Sequence, residues 1–166
     1  MQPPHTTMRP THNTLSELIR KESVEILNKH LAAAIDLHAQ VKQAHWNVRG
    51  PGFMSVHLLF DKVSECVELW SDQLAERAGG LGGTAHGTIQ VAVKRSFLVP
   101  YPHGIAGVPD HIFAVASSLA AFGQSIREAA AQATTQGDVD TADLLTEISR
   151  ETDQQLWFVE SHSVLK

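Results

Sequence analysis

An all-α four-helix bundle is the fold class this sequence predicts, and three observations predict it. Apolar residues recur at steps of three and four through four long runs, glycine-rich punctuation separates those runs, and one long segment interrupts them midway. In the first run Leu27, Leu31, Ala34, Ile35, His38, Val41 and His45 mark one buried face, so a helix is expected from about Leu15 to Ala44. Gly50-Pro51-Gly52 ends it. A second helix is expected from Phe53 to Ala78, closed by Gly79, Gly80, Gly82 and Gly83. Ile112, Val115, Leu119, Phe122, Ile126 and Ala130 define a third helical face, entered through Pro109 and Asp110, which suit a first turn, and closed by Gly137. The fourth helix is expected to be capped by Asp140 with Asp143 in its first turn, and Leu145, Ile148, Thr152, Leu156 and Val159 carry its stripe. Between the second and third helices, Thr84 to Val108 is too long for a tight turn; Thr88 to Lys94 within it predicts a short extra helix on a long crossover.

A chain of 166 residues with 43% hydrophobic and 19% charged content is long enough for one self-sufficient core. The expected organisation is a flexible tail over residues 1–14 followed by a single bundle domain over 15–166. A net charge of −5 gives the body no overall attraction to nucleic acid or anionic lipid. No run approaches the roughly 20 apolar residues of a membrane span, and Met1 to Thr11 lacks the pattern of a secretory signal, so a cytoplasmic location is expected. Cys66, the single cysteine, reads as a small core or interface hydrophobe and fits a reducing compartment.

The chemistry concentrates on the second helix. His57 and Asp61 are four residues apart, as are Asp72 and Glu76, so each pair stacks on one face as potential metal ligands. At about 100° per residue, Asp61, Asp72 and Glu76 stand roughly 40°, 60° and 100° around from His57, within one stripe. The eleven-residue step from Asp61 to Asp72 is a rise of roughly 16 Å, too far for one ion to touch both pairs of the same chain. Two copies of this helix packed antiparallel about a twofold axis would set His57 and Asp61 of one opposite the acidic pair of the other, giving two sites per dimer. His45, just before the Gly-Pro-Gly turn, is placed to complete the set. Imidazole and carboxylate ligands suit iron(II), while zinc, manganese and cobalt accept similar sets. Di-iron centres inside one bundle use Glu-x-x-His pairs, and no histidine here has a glutamate three residues before it, which disfavours an intrabundle site.

Lys42-Gln43-Ala44-His45-Trp46-Asn47-Val48-Arg49-Gly50, His57-x3-Asp61, Asp72-x3-Glu76-Arg77 and Leu81-Gly82-Gly83 together resemble the signature of the Dps family of mini-ferritins. The similarity continues through Tyr101-Pro102, Asp110-His111, Asp140 to Asp143 and Leu156 to Ser161, covering nearly everything after the first fifteen residues. The resemblance implies a ferritin-like bundle, a hollow shell of twelve subunits and ferroxidase centres at twofold interfaces. It implies that iron(II) is oxidised, with hydrogen peroxide preferred to oxygen, and stored as iron(III) mineral, which protects DNA from oxidative damage. The family's ligands carry over to His45, His57, Asp61, Asp72 and Glu76, and Trp46 matches the tryptophan beside the centre.

Other residues read more plainly. Glu65 and Glu68 share the stripe but suit a solvated or interface role, His38 suits a hydrogen-bonded core position, and Trp70 and Trp157 suit packing. His5, His12, His86 and His103 form no recognised metal spacing. Of the acids that line the family's threefold iron pores, only Asp110 is matched, with Phe113, Ala114 and Ser117 following, so a less acidic pore is expected. A nucleoid-binding role is the alternative function. The tail offers Arg9 alone before Arg20 and Lys21, and no basic extension is expected beyond Lys166, so any direct DNA binding is expected to be weak.

Overall fold

The computed structural model describes residues 8–163. His5, and the part of the expected tail that falls on residues 1–7, lie outside the described residues. Five helices follow in order: α1 Glu17–Asn47, α2 Phe53–Gly80, α3 Ile89–Arg95, α4 Val108–Gln136 and α5 Val139–Glu160. No helix among the described residues is long and apolar enough to cross a membrane.

Helices α1, α4 and α5 begin where a first orphan N–H group finds a side-chain acceptor or is absent. Ser16 caps α1, its hydroxyl accepting from the Ile19 N–H, and Pro109 sits in the first turn of α4, where a missing N–H costs nothing. The cap of α5 is a correction: Asp138, rather than Asp140, accepts from the Thr141 N–H. Asp140 falls inside the first turn, because Gly137 ends α4 in the left-handed conformation and only Gly137 and Asp138 separate the two helices. The first helix also runs three residues further than expected, to Asn47, since nothing before Gly50 opposes it.

α1 packs along α2 and α4 along α5; contacts from α1 to α4 and from α2 to α5 close the two hairpins into the bundle, and α3 lies on α1. Trp70, Phe60, Phe122, Leu27, Leu74 and Leu119 fill the centre without exposure, with the Trp70 and Phe122 rings nearly parallel at 6.0 Å. The indole N–H of Trp70 donates to a Glu151 carboxylate oxygen at 2.5 Å, so its one polar atom is satisfied inside the core. Trp157, expected to pack, is 63% exposed in the single chain. His38 is only half-buried, standing about 100° around the helix from fully buried Leu37; the histidines that the bundle does bury are His30 and His111. His30 bonds the Ile26 carbonyl at 2.7 Å and the Ser125 hydroxyl at 3.0 Å, and burial holds its pKa down. Cys66 is half-buried, and burial pushes its thiol pKa up.

The segment 8–14 carries no helix, yet it lies against the bundle: the Arg9 N–H donates to the Gly82 carbonyl at 2.7 Å, and Met8 packs on the core. Buried Arg20 adds a hydrogen bond to the Leu81 carbonyl at 2.9 Å, holding the same loop to α1.

Candidate metal centre

The turn from α1 to α2 is five residues long, and Gly50 and Gly52 both take positive φ (106° and 79°), which lets the chain reverse without a Cβ penalty. Reversal brings His45, in the last turn of α1, beside His57, in the second turn of α2. Their rings stack at 3.8 Å between centroids, 20° from parallel. The hydrogen bonds are reciprocal: His45 Nδ1 is 2.9 Å from the His57 carbonyl, and His57 Nδ1 is 2.9 Å from the His45 carbonyl. A carbonyl can only accept, so each Nδ1 carries the proton and donates. Both Nε2 atoms are thereby left with a lone pair, the form in which imidazole binds a metal.

Asp61 stands one turn further along α2, its Oδ1 3.8 Å from His45 Nδ1 and 2.7 Å from Lys42 Nζ. The Lys42 ammonium holds the Asp61 carboxyl below its usual pKa range, with His45 and His57 adding to the effect. Lys42 also lies over the Trp46 ring, 5.9 Å from its centroid, and Trp46 itself is 62% exposed. His45 therefore has His57 against one side and Asp61 within 3.8 Å.

Asp72 and Glu76 are exposed, three to four turns along the same helix. Asp72 lines an open groove of about 720 Å³ with Glu65, Glu68, Leu31, Ile35 and Leu69. Among the described residues of one chain, no three His, Cys, Asp or Glu side chains are gathered closely enough to hold a metal ion. Exposed Met54, Leu58 and Leu69 share the outer side of α2 with these donors. Lys42 is the residue whose part the spacing argument missed. It lies one helical turn before His45, and that step was its available signal.

A ferritin-like bundle is the class that this architecture defines, and the sequence profile of the ferritin-like domain matches residues 24–165. A DNA protection during starvation protein of Agrobacterium fabrum is 39% identical over 155 residues, covering 92% of this chain and 96% of its own length. The structure of DpsC from Streptomyces coelicolor superposes with a TM-score of 0.91 at 32% identity, over 96% of this chain and 94% of that one. That of Dps from Microbacterium arborescens in the high iron form gives 0.83 at 28% identity, over 90% and 97%. The chain belongs to the Dps family.

Proposed function

We propose that this protein is a ferroxidase and iron-storing mini-ferritin, with each oxidation centre made by His45, His57 and Asp61 of one copy and Asp72 and Glu76 of a second. The observation that carries the reading is the reciprocal His45–His57 clasp, which leaves both Nε2 atoms unprotonated, with the Asp61 carboxylate 3.8 Å from His45 Nδ1. The distance along α2 adds to it. A rise of roughly 16 Å separates Asp61 from Asp72, so a second copy must supply the acidic pair if both pairs are to serve one centre. The donor set is mixed nitrogen and oxygen, which suits iron(II) as substrate and admits zinc or other divalent metals in its place.

With few protein ligands per ion, positions stay open for the oxidant. Two iron(II) ions each give up one electron to hydrogen peroxide, the O–O bond breaks, and two hydroxide ions form. Because both electrons are supplied at one centre, hydroxyl radical is not released. Oxygen serves as the slower oxidant. Iron(III) is then held as mineral inside a hollow dodecamer, and DNA is protected by removing the reactants rather than by coating it. The high iron form of the Microbacterium arborescens relative supports storage as the destination.

Anaerobic iron(II) oxidation with added peroxide tests this, comparing native protein with assembled His45→Ala and Asp72→Ala variants. Native protein should consume about two iron(II) ions per peroxide, and both variants should be slow. Co-assembly of the two variants makes the test specific for a shared centre. In mixed dimers one centre of the two regains every ligand, so about a quarter of native activity should return on random mixing. Native rates in either single variant would reject the ligand assignment, and no recovery on mixing would reject the sharing.

A further inference from the structure

We propose that the buried pair Tyr101 and His111 is a positioning device for His45, fixing where α1 ends and so where the imidazole clasp stands; this rests on the metal-centre reading above. His111, in the first turn of α4, has no exposure, and Tyr101, on the crossover, is nearly buried. The Tyr101 hydroxyl and His111 Nδ1 are 2.5 Å apart, with the rings 22° from parallel. Both partners are buried, so neither can exchange this bond for one to water without opening the core.

His111 Nε2 is buried without a hydrogen-bond partner, so the bond between Nδ1 and the Tyr101 hydroxyl is what holds the ring. Asn47 is the last residue of α1, two beyond His45. The next residue, Val48, is fully buried, and the one after, Arg49, donates its N–H to the Ala106 carbonyl at 2.8 Å in a short parallel bridge with Gly107. Two turns earlier Gln40, also buried, donates to the Val99 carbonyl at 3.2 Å and accepts from the Ser118 hydroxyl at 2.8 Å. The end of α1 is thus gripped on both sides of His45 by the crossover and the start of α4.

The clasp needs this grip. Each histidine donates to the other's backbone carbonyl, so a small rotation of the last turn of α1 displaces a ring and a hydrogen-bond acceptor together. Tyr101 and His111 touch neither metal nor oxidant. They act through the crossover: Tyr101 ties it to His111 between Val99 and Ala106, the residues whose carbonyls accept from Gln40 and Arg49 on either side of His45.

Cobalt(II) alone, added to the assembled full-length apo-protein, provides the probe: its visible spectrum reports ligand geometry and its titration reports affinity. Tyr101→Phe should weaken cobalt binding about tenfold and alter the spectrum, as loss of a supporting partner around a metal ligand does. His111→Asn, which keeps a polar atom near the place of Nδ1, should bind better than His111→Ala. Ile148→Val and Ile148→Ala, buried changes in α5 chosen to bracket the loss in melting temperature, should leave spectrum and affinity unchanged. Native cobalt behaviour in Tyr101→Phe, or equal losses in the Ile148 variants, would overturn the positioning role. His45→Ala separates the two ideas: if it loses cobalt while Tyr101→Phe does not, only the positioning fails, and if it binds as native protein does, the centre and the positioning both fall.

Discussion

The Lys42 ammonium lies 2.7 Å from the Asp61 carboxylate across the seam between α1 and α2, so the acid nearest the two histidines is already paired before any metal arrives. An incoming cation must share Asp61 with that ammonium or displace it. Both side chains are partly exposed, at 22% and 43%, which keeps the pair modest in energy. Lys42→Gln should therefore tighten cobalt(II) binding by about two- to fivefold, the equivalent of an exposed ion pair's worth. Unchanged or weaker binding would show that the ammonium does not compete with metal for Asp61.

Arg77 joins α2 to the start of α5, its Nη2 2.8 Å from buried Asp138 and its Nε 2.9 Å from the Thr141 hydroxyl. Arg77→Ala strands that carboxylate and should cost about 3 kcal/mol in chemical denaturation of the apo-protein. Burial works to raise the Asp138 pKa, but the bonds from Thr141 and the charge of Arg77 prevail and hold it lowered. The sign follows: its contribution is whole above the ordinary value of 3.8 and is lost as pH falls through the lower folded value. Asp138→Asn should flatten the acid limb of the stability profile, and an unaltered limb would count against this account.

A steric prediction concerns the loop after α2. A Cβ on Gly83 would come within 2.5 and 2.6 Å of the Val24 methyls and 3.0 Å of the Ala78 carbonyl. Gly83→Ala should therefore destabilise by about 1–3 kcal/mol through overpacking. Adding Val24→Ala should return part of that loss, so the double mutant should be less destabilised than the sum of its parts. Strict additivity would mean that the loop simply moves aside.

Direct binding of DNA should be weak. The net charge is −5, and the first twenty residues contain Arg9 and Arg20 as their only lysine or arginine residues. Phosphate neutralisation has little to draw on, so no mobility shift of duplex DNA is expected at about 150 mM salt. A clear, salt-sensitive shift under those conditions would favour the nucleoid-binding alternative.

Helix existence and order were legible in the sequence because periodicity is local: an apolar stripe at three- and four-residue steps forms a helix wherever the chain can bury it. The same locality put His57, Asp61, Asp72 and Glu76 within one stripe of α2 as candidate donors. It was weaker at helix ends, where Asp138 and Asp140 are equivalent by type and only the placement of Gly137 selects the first as the cap. The exposure of Trp157 and His38 in the single chain is not set by the stripe for a related reason, since a residue's environment depends on which neighbouring helix its face meets.

By itself, then, the sequence determined that this is a four-helix bundle with a long crossover, and which side chains can offer nitrogen and oxygen to a metal. Only the tertiary structure decided the tautomers of His45 and His57, the pairing of Lys42 with Asp61, and the bond between Tyr101 and His111. Each depends on atoms brought within 2.5 to 2.9 Å between residues that are 10 to 19 positions apart in the chain. Hydrogen bonds of that kind are set by how helices pack, and packing is a property of the whole core rather than of any one stretch of sequence.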